Sequence, residues 1–184
     1  MRMLDLCSGL GGASEAMRDR GWRTWTIDSD DRFGADIVAD VRQYSWPGGE
    51  LDLIWASPPC VEFSRSILPW IRDASDPDMS IIHACYRIIQ EAQPRFWIIE
   101  NVRGAIRWFK PLLGKWRSRH GPFFLWGNFP DLGSVDLSGM RPKQAYSSSQ
   151  SAERAKIPYA ISTAVADAIE RSLQFEQIVA WPEG

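Results

Sequence analysis

Cysteine is scarce in this chain, and its placement builds no framework. Cys7, Cys60 and Cys85 are the three present, an odd number without a CxxC pair, which excludes a disulfide scaffold and gives no reason to expect a metal site. The N-terminus lacks the charged, apolar and small-residue sections of a signal sequence, so the expected location is a reducing cytoplasm, bacterial or that of an infected host. No apolar run approaches the ~20 residues that cross a bilayer, and neither an internal repeat nor a low-complexity tract is present. Bulk positive charge is missing as well. The 21 Lys and Arg against 23 Asp and Glu give a formal charge of −2, which excludes coating of nucleic acid through net charge but not a local basic patch.

What is present reads as one globular domain spanning 1–184. The length suffices for a real core, 45% of the residues are hydrophobic, and ten are tryptophan, far from the disordered class. Charge is uneven along the chain. The first fifty residues hold most of the acidic surplus, whereas Arg103, Arg107, Lys110, Lys115, Arg117 and Arg119 follow one another without an intervening Asp or Glu. Such a run is either a solvated helix face or a phosphate-contacting surface.

Strand and helix signals alternate. Arg2 to Cys7 is an apolar run that ends in Ser8-Gly9-Leu10-Gly11-Gly12 and leads into a helical stretch from Ala13 to Arg20. Further strands are expected at Trp22 to Ile27, Ala35 to Val38, Leu51 to Ala56 and Arg95 to Ile99, with another at Phe123 to Trp126. Asp76-Pro77 precedes a helix whose apolar positions Ile81, Ile82, Cys85, Ile88 and Ile89 recur at helical spacing, stopped by Pro94. The basic stretch through Trp116 is expected to be helical with a break at Pro111, Gly127 to Gln150 to be loop, and a last helix to start after Pro158 with Ser162 or Thr163 near its cap. This alternation predicts an α/β fold, a mostly parallel sheet with helices on both faces and ligands beyond the carboxyl edge of the strands.

The special residues fall at that edge. Gly9, Gly11 and Gly12 suit close approach of a nucleotide-like cofactor to a helix N-terminus, although a bare turn would look the same, and Ser14 stands where a dinucleotide fingerprint has its third glycine. Asp28 and Asp40 close successive strands. The first could accept hydrogen bonds from ribose hydroxyls, the second could meet an adenine edge together with the Val41 backbone, and either could merely cap a turn. Ser57-Pro58-Pro59-Cys60 holds a thiol at the rim on a loop stiffened by two prolines, whereas Cys85, on an apolar helix face, reads as a buried structural cysteine.

Three segments carry a family resemblance: Asp5-Leu6-Cys7-Ser8-Gly9-Leu10-Gly11-Gly12, Pro58-Pro59-Cys60-Val61-Glu62-Phe63-Ser64 and Glu100-Asn101-Val102. In order and spacing the chain resembles the cytosine-C5 DNA methyltransferases, over roughly residues 2 to 128, with Ile157-Pro158 and the following helix resembling that family's last cofactor-side motif. The resemblance implies a Rossmann-like S-adenosyl-L-methionine-dependent methyltransferase fold. It implies Cys60 as covalent nucleophile and Glu100 as the group acting at cytosine N3, with Arg117 and Arg119 as candidates for the arginines that support the nucleophile loop. Cofactor contacts are implied for Asp5, Cys7, Gly9, Leu10, Gly11, Gly12, Asp28, Asp40, Val41 and Pro58. Substrate contacts are implied for Ser57, Pro59, Phe63, Ser64, Asn101, Val102 and Arg103.

The chain also departs from the family pattern. Val61 replaces the usual glutamine, Cys7 a common aromatic, and residues 129 to 150 occupy the place of a large target-recognition region, so DNA recognition is minimal or supplied by a second subunit. Trp126-Gly127-Asn128-Phe129-Pro130 resembles compact phage and prophage members, of the kind found in restriction-modification settings. Three alternatives stay open at this point: the same chemistry on RNA or a free cytosine nucleotide, an amino (N4 or N6) methyltransferase suggested by Ser57-Pro58-Pro59, and an inactive methyltransferase-like binding protein.

Overall fold

The computed structural model describes residues 1–64, 76–139, 153 and 155–179. Seven strands form one sheet: β1 (Arg2–Leu6), β2 (Arg23–Asp28), β3 (Ile37–Val38), β4 (Leu53–Ala56), β5 (Phe96–Asn101), β6 (Ser118–His120) and β7 (Phe123–Asn128). Their order across the sheet is β3-β2-β1-β4-β5-β7-β6. The first five run parallel, and β7 joins β5 antiparallel, with β6 antiparallel to β7 at the edge. The expected Rossmann-like α/β sheet is therefore present, reversing its strand order between β1 and β4, where open sheets of this kind leave a crevice.

Side-chain alternation along the strands builds two cores. Met3, Leu53, Trp55, Phe96 and Ile98 point to one face and pack with Ala16 and Met17 of α1 (Glu15–Asp19) and Ile161, Val165 and Ile169 from the long C-terminal helix (Tyr159–Val179). Leu4, Leu6, Ile54, Ala56 and Ile99 point to the other, against Phe63 of α2 (Val61–Ser64), Ile82, Cys85, Ile88 and Ile89 of α3 (Ser80–Ala92) and Phe109 of α4 (Ile106–Leu113). The C-terminal helix is α5. Central strands covered on both faces read as continuous apolar runs, which is why Leu51 to Ala56 and Arg95 to Ile99 were legible as strands. Among the described residues no helix is long and apolar enough to cross a membrane.

Four local expectations are corrected. Pro111 does not break the basic helix: it lies inside α4, which ends at Gly114 with φ 76°. The amphipathic packing of Phe109 outweighs the one backbone bond that proline removes. The helix expected through Trp116 stops at Leu113, and the chain then leads into strand β6, with Trp116 packed edge to face on Phe124. Ser162 is no cap residue but a fully buried position inside α5. Of the loop expected over 127–150, residues 127–128 belong to β7, and 140–150 lie outside the described residues.

Gly127 sits where β7 crosses β5 opposite Ile98, with φ 143°, and a Cβ there would overlap the carbonyl of Trp97. The Gly127→Ala variant is expected to lose about 1–3 kcal/mol, the usual cost of overpacking a tight site. Urea unfolding should show a lower midpoint at unchanged slope; an unchanged midpoint would mean that the two strands pack more loosely than described.

Candidate active site

The carboxyl ends of β1, β2, β4 and β5 share one rim. At β1 the chain leaves the sheet through Cys7, a non-glycine residue held at φ 55°, and turns through Gly9 at φ 50° and Gly11 at φ 69°. The Gly11 amide donates to the Ser8 carbonyl at 2.8 Å, closing the turn. Gly12 admits no side chain, since a Cβ would overlap the carbonyl of Ile157 where the chain enters α5. Ser162 makes the same junction from inside the core: its hydroxyl accepts from the Ala16 amide at 3.1 Å and donates to the Ala13 carbonyl at 2.7 Å. It thus occupies one of the orphan amides at the start of α1.

Asp28, the last residue of β2, accepts from the Gly9 amide at 2.8 Å and the Asp30 amide at 3.0 Å. The carboxylate expected to meet a ribose therefore also fixes the glycine turn. Asp40 is held by Arg42 through a two-pronged pair of 2.6 to 3.0 Å, which lowers its pKa. Val41 is buried and its carbonyl accepts from Arg87 at 3.2 Å, while Leu10 projects to solvent at 38% exposure. Cys7 turns its sulfur toward α3, 4.0 Å from that of Cys85. The neighbouring Cys85 thiol and burial raise the Cys7 pKa well above the usual thiol value.

Asp5, expected on the cofactor side, lies deepest in the site. It is fully buried in β1, neither carboxyl oxygen has a hydrogen-bond partner, and the nearby Ser8 hydroxyl oxygen is buried without one too. Burial pushes the Asp5 pKa up to about 7 against the opposing pull of Ser14 and Arg18, with the Asp28 charge adding to the rise. Orphaned polar atoms beside a glycine turn are what a polar, cation-bearing ligand would satisfy.

On the other half of the rim, Ser57 follows β4 with its amide on the Leu6 carbonyl at 3.0 Å and its hydroxyl accepting from Trp55 Nε1 at 2.9 Å. Pro58 is buried, Pro59 exposed and Cys60 half-buried at the head of α2, where its carbonyl accepts from the Phe63 amide and from the Ser64 amide and hydroxyl. The parallel register pairs Ala56 with Ile99, so the next residues, Ser57 and Glu100, lie side by side. Glu100 is only 7% exposed and Asn101 1%. Asn101 Nδ2 donates to the Pro58 carbonyl at 2.9 Å, and its Oδ1 accepts from the Val102 amide at 2.9 Å. A third tie comes from Gly104, which packs so closely on α2 that a Cβ would overlap the Phe63 carbonyl.

The fold thus gathers Cys60, Glu100 and the glycine turn on one rim. Arg117 and Arg119 are not brought to the Cys60 turn by any contact among the described residues. They flank Ser118 on the edge strand, with their guanidinium groups over Phe129 and Phe124 at 5.4 and 5.3 Å. What ties down the turn here is Asn101, which sequence reading had placed among the substrate contacts. Its position next to Glu100 was visible, but its partner 43 positions away in sequence was not. Gly104 and Ser162 carried no local signal.

Comparison with known proteins gives a consistent pattern. Over 117 residues the chain is 31% identical to a protein of Frog virus 3 described as a DNA (cytosine-5)-methyltransferase, an alignment covering 55% of this chain and 53% of that one. Over 59 residues it is 37% identical to the type II methyltransferase M.SacI of Streptomyces achromogenes, covering 30% of this chain and 15% of that one. The chain spans about half or less of the length of these curated relatives. Among solved structures, a prophage-encoded protein of E. coli described as a DNA modification methyltransferase superposes with a TM-score of 0.51 at 18% identity, covering 79% of this chain and 52% of that one, a likeness of fold. Residues 1–108, which hold the glycine turn, the Pro-Pro-Cys turn and Glu100-Asn101, match the family described as C-5 cytosine-specific DNA methylase, and the chain belongs to that family.

Proposed function

We propose that this protein transfers a methyl group from S-adenosyl-L-methionine to C5 of cytosine in DNA, with Cys60 as nucleophile. The observation that carries the reading is the clamp between Asn101 and Pro58, which ties the turn bearing a half-buried thiol to the strand end bearing a buried carboxyl group at the rim of a methyltransferase-type sheet.

C5 of cytosine is too weak a nucleophile to take a methyl group unaided. Addition of the Cys60 thiolate to C6 forms the S–C6 bond and moves electron density to C5, while Glu100 holds a proton at N3 and so disperses the charge. The donor supplies an electrophilic sulfonium methyl group. Loss of the C5 proton to a base then breaks the S–C6 bond and releases Cys60. Asn101 positions the turn through Pro58, and Ser57, Pro59, Phe63, Ser64, Val102 and Arg103 line or support the base pocket. Asp5, Cys7, Gly9, Leu10, Gly11, Gly12, Asp28, Asp40, Val41 and Pro58 form the cofactor side, where Asp5 offers a buried counter-charge to a cationic amino-acid portion. Arg117 and Arg119 act, in this reading, only when substrate draws them inward. A duplex cytosine must leave the stack to reach Cys60, at a cost of a few kcal/mol. A second subunit, or the segment around 129–150, then supplies target recognition.

Three outcomes are expected. DNA containing 5-fluorocytosine should form a covalent adduct with the protein in the presence of cofactor, because fluorine cannot leave as a proton does; Cys60→Ala should form none, and an adduct surviving in that variant moves the nucleophile elsewhere. Asn101→Ala should lower kcat roughly 10- to 100-fold, on the scale of lost acid–base or positioning contributions, with cofactor affinity by calorimetry unchanged; a matching loss of cofactor affinity would assign Asn101 to the wrong half of the site. The third concerns Asp5 in the ligand-free protein. Folded Asp5 keeps its proton up to about pH 7 and unfolded Asp5 loses it near 3.8, so its share of stability is present below pH 4 and is lost as pH rises toward 7, by on the order of a few kcal/mol. His120, its pKa lowered by burial, contributes an opposite slope. The difference between wild type and Asp5→Asn in urea unfolding at pH 4.5 and 7.5 isolates Asp5, and equal pH slopes for both proteins would show that the carboxyl group is not desolvated.

A further inference from the structure

We infer that the exposed basic face formed by Arg103, Arg107, Lys110, Lys115 and Arg119 is the track on which a nucleic-acid backbone lies when its base enters the Cys60 site; this rests on the proposed function.

Pairing is the first support. Elsewhere six described cations stand against acids, Arg20 against Asp167 and Glu170, Arg32 against Asp30, Arg42 against Asp40, Arg87 against Glu91, Arg95 against Glu176 and Lys156 against Glu15, while Arg2, Arg18, Arg23 and Arg171 make no ion pair among the described residues but are not part of an acid-free run. From Asn101 to Pro130 there is no Asp or Glu at all. None of the five cations above makes an ion pair among the described residues, and all five are exposed. A solvated helix face would be expected to mix signs, as α3 does with Arg87 and Glu91. Here the charge is of one sign in a chain whose total is −2, an arrangement that attracts a polyanion to one place and repels it from the rest.

Position is the second support. Phe109 of α4 is buried against Trp126, which turns Arg107 and Lys110 outward, and Arg103 precedes them at helical spacing. Gly104 locks this segment onto α2, one turn past Cys60. The track therefore begins where the nucleophile is held. Its far end is also organised: Arg107 lies over Trp108 at 4.3 Å, Lys115 over Trp116 at 5.8 Å and Arg119 over Phe124 at 5.3 Å. Cations resting on rings that are half-buried, as Trp108 and Trp116 are, or buried, as Phe124 is, are partly ordered before any ligand arrives, so less side-chain entropy is lost on contact.

The test uses the 184-residue chain carrying Cys60→Ala and a fluorescein-labelled 30-base-pair duplex of mixed sequence, with binding followed by anisotropy between 50 and 300 mM NaCl. Each phosphate contact contributes about 0.9 to the slope of log affinity against log salt, so adding Arg107→Gln and Lys110→Gln together should reduce the slope by roughly 2 and weaken binding at least tenfold at the lowest salt. Arg95→Gln, at the amino end of β5 and so at the rim opposite the Cys60 turn, should leave slope and affinity as they were. Cofactor affinity and thermal midpoint of the double variant should match the parent, which separates lost contacts from lost folding. An unchanged slope would overturn the inference, as would tighter binding to poly-glutamate than to the duplex, which would make the face a docking surface for an acidic protein. Because no turnover is measured, an inactive wild type with the expected slope would defeat the proposed chemistry alone, and a flat slope in an active enzyme would defeat this inference alone.

Discussion

Everything at the rim depends on the pairing of β4 with β5. The register runs through Leu53 with Phe96 to Ala56 with Ile99, and both strands are buried on both faces, so a slip of one residue would turn Trp55 and Ile98 out of one core and into the other. With the register fixed, the residues beyond it are placed without further choice: Ser57 beside Glu100, then Pro58 under the amide of Asn101. The Pro-Pro sequence limits the backbone that follows, and the Asn101 amide removes what freedom remains. A reactive thiol needs this, since a displacement of about an ångström at an attacking atom can cost two orders of magnitude in rate.

The same economy appears in the other half of the rim. Asp28 spends its oxygens on the Gly9 and Asp30 amides, so the strand end that would face a cofactor also shapes the loop that would cover it. Asp5 is the opposite case. A carboxyl group buried in a central strand without a hydrogen-bond partner costs stability whether it is ionised or protonated. Folding tolerates it because the surrounding apolar packing of Met3, Met17 and Trp55 is extensive, and a binding site commonly stores such a deficit until a ligand relieves it.

Sequence pattern conveyed a mostly parallel sheet and the strand-end positions of Cys60, Glu100, Asp28 and the glycine turn, because each of these is local: an apolar run, a strand end, a pair of prolines; the order of the strands across the sheet was not conveyed. Contacts between distant segments were not conveyed. Asn101 reads from sequence as a rim residue, and only the folded register shows it reaching back to Pro58. Gly12 and Gly104 look alike in sequence to any turn glycine, yet each is required by a different neighbour, the Ile157 carbonyl and the Phe63 carbonyl. Pro111 misled for a related reason. Its local penalty is real, but α4 is held by burial of Phe109 against Trp126, an energy that propensity does not see.

Antiparallel β7 and β6 change what the sheet can present. A parallel strand at that edge would need a crossover helix on one face, whereas a hairpin adds two strands within a dozen residues and leaves the turn between them near the rim. Arg119 and Asn101 share a level because both pair with Phe124, so the edge carries basic side chains to the height of the Cys60 turn without any additional domain. In a chain that spans about half the length of its relatives, the hairpin is thus what widens the sheet beyond β5 and sets Arg119 level with Asn101.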